Sequence, residues 1–215
     1  MSDVLLWVDC EMTGLDVEKE ELCEIALVPT DFSLAPLDCG RDFIIRPSGR
    51  AIENMGDFVR SMHTENGLLG LMEKARPLEE VKGEILSYAS SFVSQEQKGY
   101  LAGNTIGSDK KFIDKYLPEL SSMLNYRTVD VSSIKELCRR WYPEAFALKP
   151  VKHGNDRSLA DIIESIDELK YYKRAIFKPE GLKEARDEVE ASSLLKTWEA
   201  KGVKLVDYSN VTKKD

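Results

Sequence analysis

The 215-residue sequence predicts an α/β domain built on a mixed five-stranded sheet flanked by helices. Two observations predict it. Three short apolar runs, separated by turns carrying Gly and Asp, fill the first 47 residues and read as an antiparallel meander. Beyond them, segments with apolar residues at helical spacing alternate with two further short strands.

The first strand is the run Leu5, Leu6, Trp7 and Val8, followed at once by Asp9 and Glu11 in "LLWVDCEMTGLD". In a strand, residues two apart point to the same face, so these two carboxylates would lie side by side. Like charges held close raise each other's pKa unless a cation neutralises them. Either the strand ends at Val8 and both acids are solvated, or a divalent metal sits between them. This segment alone leaves both readings open.

"ELCEIALVPTD" is a second strand, with Leu22, Ile25, Leu27 and Val28 as its apolar content, and "RDFIIRP" a third, stopped by Pro47. Helical spacing follows in "LEEVKGEILSYASSFV", which places Leu78, Val81, Ile85, Tyr88, Ala89 and Phe92 on one face. "GYLAGN" is a short strand, and "DKKFIDKYLPEL" a helix with a break before Pro118. "YRTVDV" is the fifth strand, "SSIKELCRRWY" a helix, and "ALKPVKHGND" a loop by its Pro, Gly and Asn. The long helix "RSLADIIESIDELKYYKRAIF" carries Leu159, Ile162, Ile163, Ile166 and Leu169 at helical spacing. The tail "EGLKEARDEVEASSLLKTWEAKG" is charged and helix-prone, either a solvated appendage or a partner-binding helix.

At 42% hydrophobic and 32% charged, the composition is that of one globular domain, or one domain with an appendage. No apolar run approaches a membrane span, and the early strand with its acids argues against a signal or transit peptide. Cys10, Cys23, Cys39 and Cys138 form no CxxC pair. Buried, reduced thiols in a reducing compartment, the cytoplasm, are therefore expected. A net charge of −8 argues against a broad electrostatic grip on long nucleic acid, but not against short ones held by a metal and a few local cations.

Three further acids stand out. Asp109 follows "AGNTIGS" and would suit a helix N-terminus without any function. Asp130 ends its strand. Asp161 lies among Leu159, Ile162 and Ile163, on a helix side that faces both core and cleft. Asp9, Glu11, Asp109 and Asp161 together could share one cleft and hold paired divalent ions roughly 3.5–4 Å apart, which suits phosphodiester cleavage.

These motifs resemble the oligoribonuclease family of DEDD 3′-to-5′ exonucleases, from about Leu5 to Phe177. "WVDCEMTGLD", "GNTIGSDKKF" and "SLADIIESIDELKYY" look like its three exonuclease motifs, and "HTENGL" and "YRTVDVSSIKELCRRW" match in order. The resemblance implies a ribonuclease H-like exonuclease domain over 1–177 with a C-terminal extension over 178–215. It also implies a homodimer, Mg²⁺ or Mn²⁺ in two sites, and removal of nucleotides from the 3′ end of very short RNA. By position, the metal ligands it implies are Asp9, Glu11, Asp109 and Asp161. It further implies Leu15 as an apolar wedge against the bases and Phe58 as a stacking platform, where the bacterial pattern usually has Trp. His63, Thr105 and Arg127 match a cap over the 5′ phosphate, with Thr105 in place of Ser. Tyr126 and Arg127 are expected to reach the site from the other subunit. Without the resemblance, Phe58 reads as a packing residue, His63 as a surface histidine and Arg127 as one half of a surface ion pair.

One position departs from the pattern. Five residues before its metal-binding Asp, the family carries a His that takes a proton from the attacking water; here that position is Asp156, in "HGNDRSLADI". Asp156 is then a helix N-cap that leaves the base absent, a weaker base or metal recruiter, or a bystander to His153 reaching in from the loop. The expectation is lost or strongly reduced cleavage with metal and RNA binding retained. Two other functions compete: a protein that holds short RNA or a dinucleotide without cleaving it, and an exonuclease for DNA or longer RNA. Asp156 favours the first; the acidic balance and the phosphate cap argue against the second.

Overall fold

The computed structural model describes residues 3–151, 157–177, 182–191 and 200. The chain divides into two compact units, Met1–Ile176 and Phe177–Asp215. The first opens with β1 (Val4–Met12), β2 (Leu22–Asp31) and β3 (Arg41–Ile44). Three short helices, α1 (Gly49–Asn54), α2 (Asp57–Glu65) and α3 (Leu68–Met72), lead to α4 (Leu78–Ser90) and β4 (Gly99–Gly103). Then come α5 (Gly107–Tyr116), α6 (Pro118–Ser122), β5 (Leu124–Asp130), α7 (Val131–Trp141), α8 (Pro143–Ala147) and α9 (Ser158–Ala175). In the second unit, α10 spans Leu182–Ala191.

The five strands form one sheet in the order β3-β2-β1-β4-β5. β1, β2 and β3 pair antiparallel as the meander predicts, while β4 and β5 join parallel to β1 and to each other. The sheet is therefore mixed, with helices on both sides. β1 lies at its centre and is buried on both faces, which explains its near-continuous apolar run. Its even residues Leu6, Val8, Cys10 and Met12 belong to the core that includes Val81, Ile85, Phe112 and Leu120 from α4, α5 and α6. Its odd residues Leu5 and Trp7 pack with Ile162, Ile166, Leu169 and Tyr172 of α9. The buried Trp7 indole donates to Thr30 Oγ1 at 2.9 Å, so the ring's one polar atom is satisfied. This alternation sets up the site: Asp9 and Glu11 continue the odd series, toward α9.

Where β4 turns toward α5, a Cβ on Gly103 would come within 2.8 Å of the Val8 carbonyl oxygen, so only glycine permits the close approach of β4 to β1. The helix break expected before Pro118 falls at Leu117, between α5 and α6.

Several details differ from the sequence expectations. Cys10, Cys23 and Cys138 are buried, but Cys39 is exposed. Ile163 is half exposed and lies off the apolar face of α9, because that face is set by Ile162, Ile166 and Leu169. Phe92 lies past the end of α4 and packs against the core from the following turn. The helices α1, α2, α3 and α8 were not foreseen; each is too short for a periodicity of 3.6 to stand out, or is closely bounded by Gly. Of the charged tail, α10 and Ala200 are helical; the rest of that segment lies outside the described residues. No helix among the described residues is long and apolar enough to cross a membrane.

Candidate active site

Asp9 and Glu11 stand two residues apart at the end of β1, and Asp161 lies in the first turn of α9. One carboxylate oxygen from each falls within 4.8 Å of the others. The strand period brings the first two together, and the packing of α9 across the sheet brings in the third. All three are partly buried. The solvated-loop reading of the first pair is thereby excluded, since the strand runs on to Met12.

Asp109 occupies the first turn of α5 and is almost fully buried. Its Oδ1 accepts the Cys10 amide at 2.9 Å, which ties it to β1 between Asp9 and Glu11 in the chain. Asp9 is pushed up to about 8, first by burial and then by the charges of Asp109 and Asp161, with Ser158 opposing and Glu24 adding. Asp109 is raised to about 6 by burial, opposed by its own amide and that of Cys10. Burial and the surrounding carboxylates also drive the Cys10 thiol well up. An oxygen-only donor set with mutual repulsion fits a hard divalent ion.

His63, on α2, is fully buried, so its reading as a surface histidine is corrected. Its Nε2 lies 2.9 Å from the Met12 carbonyl and must carry the proton to donate there. Its Nδ1 lies 4.0 Å from Glu11 Oε2 and has no hydrogen-bond partner. Thr105 has φ 55°, unusual for a β-branched residue. It is held there by donation of its amide to Asp130 Oδ1 at 3.0 Å and by contact of its hydroxyl with Ser132 Oγ at 3.0 Å. Asp130 ends β5, as expected, and also caps α7 by accepting the Ser132 amide. On β5, the Arg127 guanidinium lies 4.5 Å over the exposed Tyr126 ring. Leu15 and Phe58 are each 80% exposed, so the packing alternative for Phe58 is corrected: its ring is free to take a partner. Asp156 and His153 lie outside the described residues; the cap position of α9 falls on Arg157, one residue later than the N-cap reading of Asp156 requires.

Sequence reasoning missed three residues. Glu24 on β2 is fully buried and binds Arg157 through a two-pronged contact, Nε–Oε1 at 2.9 Å and Nη2–Oε1 at 2.7 Å. Ser158, also fully buried, lies beside Asp9 with no hydrogen bond of normal length to its Oγ. The signal for Glu24 was present: a carboxylate inside the apolar run of "ELCEIALVPTD", the same anomaly that marks Asp9.

A mixed sheet whose central strand ends in paired carboxylates, joined by a third from a late helix, is an arrangement for phosphodiester chemistry. A family model described as Exonuclease (RNase_T) matches residues 6–169, and the chain belongs to that family. Solved structures of exonuclease I share the fold. The zinc-bound Escherichia coli ExoI–ssDNA complex superposes with a TM-score of 0.64 at 12% identity, over 83% of this chain and 42% of that one. Exonuclease I of Methylocaldum szegediense gives 0.59 at 17% identity, over 82% of this chain and 41% of that one. The chain thus spans about two fifths of the length of these exonucleases, and the likeness shows the ribonuclease H-like fold. Curated relatives are nearer. Oligoribonuclease of Leifsonia xyli is 47% identical over 93% of this chain and 97% of its own length. That of Cutibacterium acnes is 48% identical over 82% and 87%, and that of Streptomyces coelicolor 46% over 84% and 90%. Within the exonuclease family, the chain is a member of the oligoribonucleases.

Proposed function

We propose that the chain is a 3′-to-5′ exoribonuclease that degrades very short RNA, down to dinucleotides, to mononucleotides with the help of two Mg²⁺ or Mn²⁺ ions. The observation that supports it most directly is the meeting of Asp9, Glu11 and Asp161 within 4.8 Å, in a chain whose relatives are oligoribonucleases. Asp109 completes the set; its orientation is fixed by the Cys10 amide. When bound, such ions activate a water and stabilise the leaving oxygen of the scissile phosphate.

The chain's own residues supply the rest. Leu15 and Phe58 offer exposed apolar surface to the bases, and stacking on Phe58 discriminates little among them. His63, Thr105 and Arg127 close over the 5′ phosphate, which restricts the substrate to a few nucleotides. The unpartnered, buried Nδ1 of His63 beside Glu11 supports a role at the site. Tyr126 and Arg127 act across a homodimer, consistent with their exposed place on β5. Four unpaired cysteines fit a reducing cytoplasm.

The attacking water must lose a proton, and the position that receives it is Asp156. A carboxylate with an ordinary pKa of about 3.9 is a weaker base than an imidazole near 6.5. Cleavage is accordingly expected to be about 10²–10⁴-fold slower than with His at this position. The second reading, a short-RNA-binding protein that does not cleave, is favoured by the same residue. Incubation of a labelled RNA dinucleotide with the chain and Mg²⁺, repeated with Asp156→His, separates them. Faster cleavage after the change supports the nuclease with an impaired base. Tight binding without cleavage in either form supports the binding protein. Efficient cleavage of long strands overturns the length restriction.

A further inference from the structure

The pair Glu24–Arg157 lies outside the carboxylate group and has no step in the reaction above. A fully buried carboxylate persists only when its charge is paired and hydrogen-bonded. Glu24 meets both conditions through one element. Arg157 donates to it from Nε at 2.9 Å and from Nη2 at 2.7 Å, and also reaches Asp42 Oδ2 at 3.3 Å. The Ser158 amide approaches the second Glu24 oxygen at 3.4 Å. Arg157 is the cap position of α9 and Ser158 its first residue, and Arg157 makes no side-chain cap of its own. The N-terminus of α9 is therefore held by a carboxylate on β2, which also faces the positive end of the helix dipole. Glu24 in turn stands opposite Glu11 in the β1–β2 register. The contact thus links the strand pair that carries Asp9 and Glu11 to the helix turn that carries Asp161.

We propose that Glu24 is a positioning residue for the metal site: through Arg157 and the Ser158 amide it fixes the first turn of α9 so that Asp161 meets Asp9 and Glu11. The inference rests on the reading of these three carboxylates as metal ligands. A local N-cap would hold the helix end but not its place over the sheet. The forked Glu24–Arg157 contact sets both.

The test is calorimetric titration of Mn²⁺ into the full chain, into Glu24→Gln and into Arg157→Lys, with thermal melts of each. Val81→Ala, a truncation in the core on the opposite face of the sheet, provides a destabilised comparison. Mn²⁺ affinity is expected to fall about 10–100-fold in Glu24→Gln, as for other partners that orient metal ligands. Arg157→Lys keeps the charge but loses the fork, and is expected to fall between the two; it carries the test should Glu24→Gln not fold. Unchanged Mn²⁺ affinity in a folded Glu24→Gln or Arg157→Lys chain would overturn the inference. So would an equal loss in Val81→Ala, which would assign the effect to general stability. Failure of the unaltered chain to bind Mn²⁺ would instead overturn the metal-site reading, and the inference with it.

Discussion

Asp9 shows what the site demands of a single residue. Raised to about 8 by burial and its carboxylate neighbours, it favours the protonated state in the folded chain over a range where the unfolded chain has lost that proton. Asp109, raised to about 6, acts in the same sense. Folded chains bind more protons than unfolded ones through this window, so these groups stabilise the metal-free fold fully below about pH 4 and progressively less as pH rises to about 8. Melting temperature in chelator is therefore expected to fall from mildly acidic to mildly basic pH, as read by scanning calorimetry. Mg²⁺ should restore it, and restore more at the basic end, because ion and proton compete for the same oxygens. Asp9→Asn should melt higher than the unaltered chain in chelator at about pH 8 and lose ion binding. Phe58 makes a different prediction. It is 80% exposed, so Phe58→Ala should leave the melting temperature unchanged. Loss of a base–aromatic stack worth roughly 1–3 kcal/mol should weaken short-RNA binding by about 5- to 150-fold, measured by fluorescence anisotropy.

At the scale of elements, the site is assembled from ends: the end of β1 and the first turns of α5 and α9. Strand and helix interiors are legible from periodicity, and so β1, β2, α4, α7 and α9 were all foreseen. The short helices before α4 were not, and one of them, α2, carries both Phe58 and the buried His63. Asp130 joins two elements. It caps α7 through the Ser132 amide and holds Thr105 at φ 55° through the Thr105 amide. Asp130→Ala should destabilise the fold by about 1–2 kcal/mol from the cap alone, as read by denaturant unfolding. Released from its restraint, Thr105 should leave the left-handed region, and the proposed phosphate contact should weaken. Unchanged affinity for a 5′-phosphorylated dinucleotide would argue that Thr105 needs no such support.

For the whole molecule, the mixed sheet explains why acids survive at the edge of a core. β1 is central and covered on both faces, so every side chain along it is aimed at one helical layer or the other. Asp9 and Glu11 share the face that α9 covers, and α9 supplies the third carboxylate. Beyond the single chain, Tyr126, Trp141, Tyr142 and Leu148 are exposed, and the proposed homodimer is expected to cover apolar side chains of this kind. Sedimentation equilibrium is expected to return twice the chain mass; a monomer at working concentration would remove the basis for Tyr126 and Arg127 acting in trans.

The sequence by itself determined the five strands and the longer helices and singled out Asp9 and Glu11 as a pair, because period, turn chemistry and an acid at the end of an apolar run are local signals. Glu24 carried such a signal in "ELCEIALVPTD". What it signalled stayed hidden, because its partner Arg157 lies 133 residues away. Only the tertiary structure decided that His63 is buried beside Glu11, that Asp161 closes on β1, and that Glu24 anchors the helix bearing it. Those distances are set by strand order and by the packing of α9 across the sheet, and no spacing along the chain encodes them.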